Sequence, residues 1–303
     1  MLADTRGAPS PLPAMHRFAR HLILALFAGL FLQACSAVRL GYGNADSLAR
    51  WWIDQYLDLS SEQDALVRER LAGLFAWHRK TQLPDSVTLL RQGTVLAAGQ
   101  PTAGDALALG DSIIRRVQVL AEQAAPDVAD LLATLTPAQI DRLAARFADK
   151  NAEFAKEARL AEGTAAQHAA RYKRQLERAE YWFGDFSGEQ EAALRRMVEA
   201  RDPGVQIWYE ERLRRQRELL DLMRQVQRER PPRERIVALL RDYIARFDLP
   251  ADPARLARVR AVRRDTAELT VAIHAMMGPA QRAHALQKFD DLMHDLTELA
   301  KAD

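Results

Sequence analysis

The stretch PAQIDRLAARFADKNAEFAKEARLAEGTAAQHAARYKRQLERAEYWF, residues 137–183, decides the fold. Its apolar or small positions include Ile140, Leu143, Phe147, Phe154, Ala158, Ala161, Ala165, Ala169, Tyr172, Leu176, Ala179 and Phe183. They recur in steps of three and four along one stripe, with a polar gap at Lys150 and Asn151, while arginine and glutamate fill the other face. That is the period of an amphipathic helix. At the α-helical rise the stretch predicts one very long helix of roughly 70 Å, with Gly163 as the point where it would bend or break.

The rest of the chain reads the same way. Alanine, leucine, arginine, glutamate and glutamine dominate, all good helix formers, and no run of alternating β-branched residues suggests a strand. Shorter helical patterns cover residues 46–58, 61–81, 84–98, 104–123 and 126–133 before the long one, and 188–201, 204–229, 232–247, 253–276 and 279–301 after it. Breaks fall where turn chemistry is good, as at Gly99-Gln100-Pro101, Asp202-Pro203-Gly204, Pro231-Pro232 and the prolines at 250 and 253. The expected fold is all-α, an elongated bundle with an internal duplication.

One local pattern recurs four times: Leu59-Ser60-Ser61-Glu62-Gln63, Leu135-Thr136-Pro137-Ala138-Gln139, Phe186-Ser187-Gly188-Glu189-Gln190 and Met277-Gly278-Pro279-Ala280-Gln281. Each is a helix start. The Ser60, Thr136 or Ser187 hydroxyl accepts from the amide three residues on, and the glutamine there reaches back to the cap amide. The fourth copy lacks the hydroxyl, so only the Gln281 half of its box can form. Leu135 and Ile140 can add a hydrophobic staple. Four ordinary capping boxes explain these residue types. The pattern also resembles the Leu-Thr-x-x-Gln motif of Spy/CpxP-type periplasmic proteins, small helical cradles that act as ATP-independent chaperones or envelope-stress modulators. In that resemblance the motifs pair as 59–63 with 135–139 and 186–190 with 277–281, giving a first half at 46–185 and a second at 186–303.

The N-terminus predicts export. A basic stretch, His16-Arg17-Phe18-Ala19-Arg20-His21, precedes an uncharged apolar run over residues 22–32. That run suits a signal-peptide core and falls well short of the roughly 20 residues of a spanning helix. It ends in Leu32-Gln33-Ala34-Cys35, followed by Ser36, which resembles the lipobox of bacterial lipoproteins. Cys35 is the only cysteine of the 303 residues, and acylation gives it a use in a disulfide-permissive compartment. Residues 1–34 are then a signal peptide (Met15 begins a tidier one than Met1), and residues 35–45 a lipidated tether kept flexible by Gly41 and Gly43. Asn44 or Asp46 would cap the next helix. Serine after the cysteine, where the resemblance would place aspartate for inner-membrane retention, implies the periplasmic face of the outer membrane. The whole chain resembles a family of uncharacterised proteobacterial lipoproteins. The resemblance rests on the lipobox, Leu40-Gly41-Tyr42-Gly43-Asn44, Arg50-Trp51-Trp52-Ile53-Asp54-Gln55-Tyr56, Leu83-Pro84-Asp85 and Phe289-Asp290-Asp291-Leu292. On the helix after the tether, Leu48, Trp52 and Tyr56 share a stripe, which favours the core for Trp51 and Trp52 over a place at lipid headgroups.

Without residues 1–34, which carry three arginines and one aspartate, the chain has 40 basic and 40 acidic residues. That balance, with the compartment, argues against nucleic acid as a partner. Arginine is concentrated between residues 212 and 235, and Arg255, Arg258, Arg260, Arg263 and Arg264 follow. Arg212, Arg215, Arg224 and Arg228, with apolar neighbours such as Trp208 and Leu220, form a candidate basic face for acidic unfolded chains or anionic headgroups. A solvated helix face is the ordinary alternative.

Catalytic readings are fewer. Gly110-Asp111-Ser112-Ile113 resembles the nucleophile block of GDSL-type esterases, and Asp291 and His294 have the spacing of their other triad members. That block follows a buried strand, which this sequence does not offer. His274, His284 and His294 recur at ten-residue intervals, but a ten-residue step rotates a helix by about 280° and points them apart. No catalytic residue, metal or cofactor is therefore expected. The expected function is a non-enzymatic, outer-membrane-anchored periplasmic lipoprotein that binds proteins or envelope components, with a chaperone-like or stress-modulating role towards unfolded or envelope proteins as its concrete form. An esterase and a structural envelope adaptor are the alternatives.

Overall fold

The computed structural model describes residues 36–301, so Leu32, Gln33, Ala34 and Cys35 lie outside the described residues. Among the described residues the architecture is all-α, without a strand. In chain order the helices are α1 Ser36–Gly43, α2 Ala45–Leu57, α3 Ser61–Trp77, a π turn His78–Gln82, α4 Leu83–Ala98, α5 Ala103–Leu132, α6 Pro137–Glu157, α7 Thr164–Phe183, α8 Gly188–Glu199, α9 Val205–Glu229, α10 Arg233–Arg246, α11 Pro253–Ala275 and α12 Pro279–Lys301.

The very long helix expected at residues 137–183 is two helices. α6 ends in a Schellman turn: Arg159 takes φ 55°, its amide donates to Lys156 O, and the Leu160 amide reaches back to Ala155 O. Gly163 then takes φ 83°, a conformation that suits glycine, before α7 starts. The stripe misled because alanines at 158, 161 and 165 continue the period through the turn, and alanine packs equally well in either conformation.

Length appears elsewhere instead. Helical backbone runs unbroken from α3 to α4, because the π turn widens the helix just ahead of Pro84 and the Leu83 amide donates to His78 O. α5 has 30 residues and passes through Pro126, where the sequence suggested a break. At 1.5 Å per residue it spans about 45 Å. The stretch read as a flexible tether is also helical over Ser36–Gly43. Asn44 makes no capping bond to α2; its amide donates backward to Leu40 O.

Two cores result. One gathers Leu57, Ala129, Leu135, Ile140, Val226, Ile236 and Leu240 between α2, α5, α6, α9 and α10. The other gathers Tyr172, Ala179, Leu194, Val198, Leu269 and Ile273 between α7, α8 and α11. Leu135, Ile140, Leu194 and Leu269 are no more than 1 % exposed, and burying each such side chain contributes about 1.5–3 kcal/mol. α5 joins the two cores, packing on α10 and α11, while α4 lies along α12. Charged clusters reinforce the joints. Glu211 is fully buried and receives Arg214 Nε at 2.7 Å and Arg255 Nε at 3.4 Å. Arg214 also bonds Glu218 and Phe247 O, tying α9 to the turn before α11.

Candidate binding site

The four cap motifs come together in two pairs. Gln63 opens α3 and Gln139 opens α6, and the two side chains exchange hydrogen bonds. Gln63 Nε2 donates to Gln139 Oε1 at 3.2 Å, and Gln139 Nε2 donates to Gln63 Oε1 at 2.7 Å. Each Oε1 also accepts from its own cap amide, at Ser60 and Thr136. Each Nε2 also donates to the carbonyl two residues before the other helix's cap, Thr134 O and Asp58 O. Both amides thus have every donor and acceptor engaged. Gln190 and Gln281 repeat the arrangement at the starts of α8 and α12, at 2.8 and 3.1 Å, with Met276 O and Asp185 O as the carbonyl acceptors. The first clamp ties the α2–α3 turn to the α5–α6 turn, and the second ties the α7–α8 turn to the α11–α12 turn.

An apolar cavity of about 330 Å³ opens between α4, α5, α7, α11 and α12. Leu89, Leu96, Leu109, Trp182 and Phe289 line it, with Ile113 at 49 % exposure. Phe289 stacks on Trp182 with centroids 4.8 Å apart and lies against Gly93, where any side chain would collide with its ring. The imidazole in the wall, His274, is 7 % exposed and its Nε2 is engaged by Ala97 O at 2.9 Å. What remains is a hydrocarbon surface of ligand-pocket size. Sequence reasoning did not single this cavity out. Its residues come from five helices, and each apolar position had an ordinary core reading.

Beside it, α5, α11 and the turn before α11 enclose a basic cleft of about 440 Å³ lined by Arg115, Arg260, Arg263 and Arg264. Arg263 is engaged by Asp248 and Asp111. Arg115, Arg260 and Arg264 make no ion pair among the described residues. The arginines proposed on α9 do not line one surface. Arg212 bonds Asn151 Oδ1 at 2.6 Å and lies over Phe154, and Arg224 also points to α6, 3.8 Å from Asp141. Arg215 stacks on Phe247, where burial and the neighbouring Arg214 push its pKa down. Arg228 is exposed at the end of α9. The separation follows from helix geometry: nine residues from Arg215 to Arg224 turn the direction by about 180°.

Ser112 lies within α5, whereas Asp291 and His294 are on α12, and the main packing partners of α5 are α3, α4, α9, α10 and α11. Asp291 accepts from Gln287 on its own helix. Trp51 and Trp52 are not in the core: they are 60 % and 55 % exposed. Leu48, on the same stripe, is 55 % exposed, and only Tyr56 turns inward, towards Phe147. The stripe marked a face but not whether another helix covers it.

Fold and site together define an all-helical body tied by paired glutamine clamps and holding an apolar cavity. The model of a family of unknown function, DUF6279, matches residues 55–245, and the chain belongs to that family. No curated protein and no solved structure matches it.

Proposed function

We propose that this is a proteobacterial lipoprotein, acylated at Cys35 and held on the periplasmic face of the outer membrane, which binds apolar segments of unfolded or envelope proteins without catalysing a reaction. The observation that carries the binding reading is the cavity of Leu89, Leu96, Leu109, Ile113, Trp182 and Phe289. It offers hydrocarbon and no free polar group, which suits an apolar side chain of an extended client. The cleft with Arg115, Arg260 and Arg264 flanks the same helix and suits carboxylates on that client. The paired clamps support the likeness to the Spy/CpxP motif, and their repeat supports an origin by duplication. The lipid anchor rests on the lipobox resemblance at Leu32-Gln33-Ala34-Cys35. No described helix is long and apolar enough to cross a membrane, so attachment in this reading is through the lipid.

Two experiments test this. Metabolic labelling with a fatty-acid analogue should mark the wild type and not Cys35→Ser; labelling of neither removes the anchor. The purified protein should slow aggregation of an unfolding client at stoichiometric levels, and Leu109→Arg, which places a cation in the cavity wall, should abolish the effect. Equal activity of wild type and variant would remove the cavity from the function.

A further inference from the structure

The first helix after Cys35 is fixed to the body. Arg39 on α1 bonds Asp295 on α12 at 2.8 Å, and the Asp295 side chain is only 3 % exposed. Tyr42 OH meets His78 Nδ1 at 2.7 Å, and the Tyr42 ring packs edge-on against Phe75. α2 follows almost directly, with the Leu48 amide bonded to Asn44 O. Whatever holds Cys35 therefore holds α1 and α2 as well, with one peptide link between the cysteine and α1 in place of a slack tether.

That short arm carries Leu40, Leu48, Trp51 and Trp52, each more than half exposed. On α2, Leu48, Trp51 and Trp52 fall within one arc of about 100°. The one other residue projecting within that arc is Gln55, so the face holds no ionisable group. The charged residues of α2 are on the other side and engaged: Arg50 with Asp64, Asp54 with the Leu59 amide, Asp46 with the Ser47 amide. Paired tryptophans with a leucine on an uncharged face suit the boundary between headgroups and acyl chains, where an indole buries its ring and keeps its N–H hydrated.

We infer that the α2 face of Leu48, Trp51 and Trp52 lies in the surface of the bilayer to which Cys35 is anchored, so that the body stands on the membrane in one orientation. This rests on the acylation of Cys35 proposed above. The lipid begins one residue before α1, and Leu48 is about 18 Å of helix from Ser36, so the anchor brings this face to the membrane and leaves the body little freedom to turn it away.

The test uses the full chain processed in a lipoprotein-exporting host and reconstituted into phosphatidylethanolamine–phosphatidylglycerol vesicles containing brominated acyl chains. Flotation with the vesicles reads the anchor; quenching of tryptophan fluorescence reads the face. Wild type should float and be quenched. Trp51→Ala/Trp52→Ala should float equally and lose most of the quenching. Leu48→Glu keeps both indoles but puts a carboxylate between them, and should lower quenching about twofold at unchanged flotation. Flotation without quenching, or equal quenching in the double variant, would overturn the orientation and leave the anchor standing. Failure of wild type to float would remove the anchor and the orientation together. All these positions are exposed, so an unchanged helical spectrum serves as the folding control.

Discussion

Gln190 and Gln281 hold each other through the same reciprocal amide pair as Gln63 and Gln139, although Gly278 stands where the other three helices have a hydroxyl cap. The Gly278 amide still donates to Gln281 Oε1 at 3.0 Å. The hydroxyl is thus dispensable to the clamp, whereas the glutamine is not, since its amide serves its own helix and the opposite turn at once.

Replacing Gln63 by alanine should destabilise the protein by about 2–3 kcal/mol, because it removes both bonds exchanged with Gln139 and leaves the Ser60 amide and Thr134 O without their glutamine partner. Ser60→Ala removes only one cap bond and should cost about 1 kcal/mol. A double-mutant cycle on Gln63 and Gln139 by urea unfolding should give a coupling of about 1 kcal/mol or more. Additive effects would show that the pair is a contact without energetic weight.

Glu211 is the buried member of the α9 charge cluster. Glu211→Gln should lower the unfolding free energy by about 3–5 kcal/mol, since Arg214 loses its buried counter-charge. Glu218 is 37 % exposed on the same arginine, and Glu218→Gln should cost under about 1 kcal/mol. Urea midpoints of the two variants compare them directly.

At Gly93 an added Cβ would stand 2.7 Å from Phe289 Cε1. Gly93→Ala should cost about 1–3 kcal/mol by overpacking. Combining it with Phe289→Leu should recover part of that loss by removing the colliding ring edge. Thermal unfolding of the three variants reads the interaction.

Burial holds the His78 pKa below its usual value. A folded pKa below the unfolded one means that the unfolded chain binds more protons in the window between them. The contribution is therefore fully present above the unfolded pKa and is lost as pH falls through that value towards the folded one. Stability should decline as pH falls through the ordinary imidazole range, about 6.5, and His78→Phe should flatten the decline. The contact between Tyr42 OH and His78 Nδ1 is at stake, so protection of the α1 amides against hydrogen exchange, taken relative to the intrinsic rate at each pH, should fall over the same interval in the wild type.

Much of the helical layout was legible because turn residues punctuate it. The pattern at 204–229 corresponds to Val205–Glu229, and that at 279–301 to Pro279–Lys301. Proline misled where it did not end a helix: at Pro84 the backbone absorbs the missing amide by widening, and Pro126 sits inside α5. Alanine misled at 158–165, because a residue that fits both helix and turn carries no boundary. The caps were readable as local chemistry, but the exchange between Gln63 and Gln139 depends on two turns meeting across 76 residues. Exposure of Trp51 and Trp52 was unreadable for a related reason: periodicity defines a face, and only the packing of the other helices says whether it is covered.

The π turn at His78–Gln82 inserts one residue into an otherwise regular helix. Every position after it is displaced by about 100° around the axis. One rod can therefore serve two partners, with α3 packing on α2 and α5 while α4 lies along α12. The joint depends on counting more than on chemistry. Substitutions at residues 79–82 should be absorbed, whereas deleting a single residue would restore α-helical register and swing Gly93 away from Phe289, displacing the α4 wall of the cavity from a distance of more than ten residues without altering any residue that lines it.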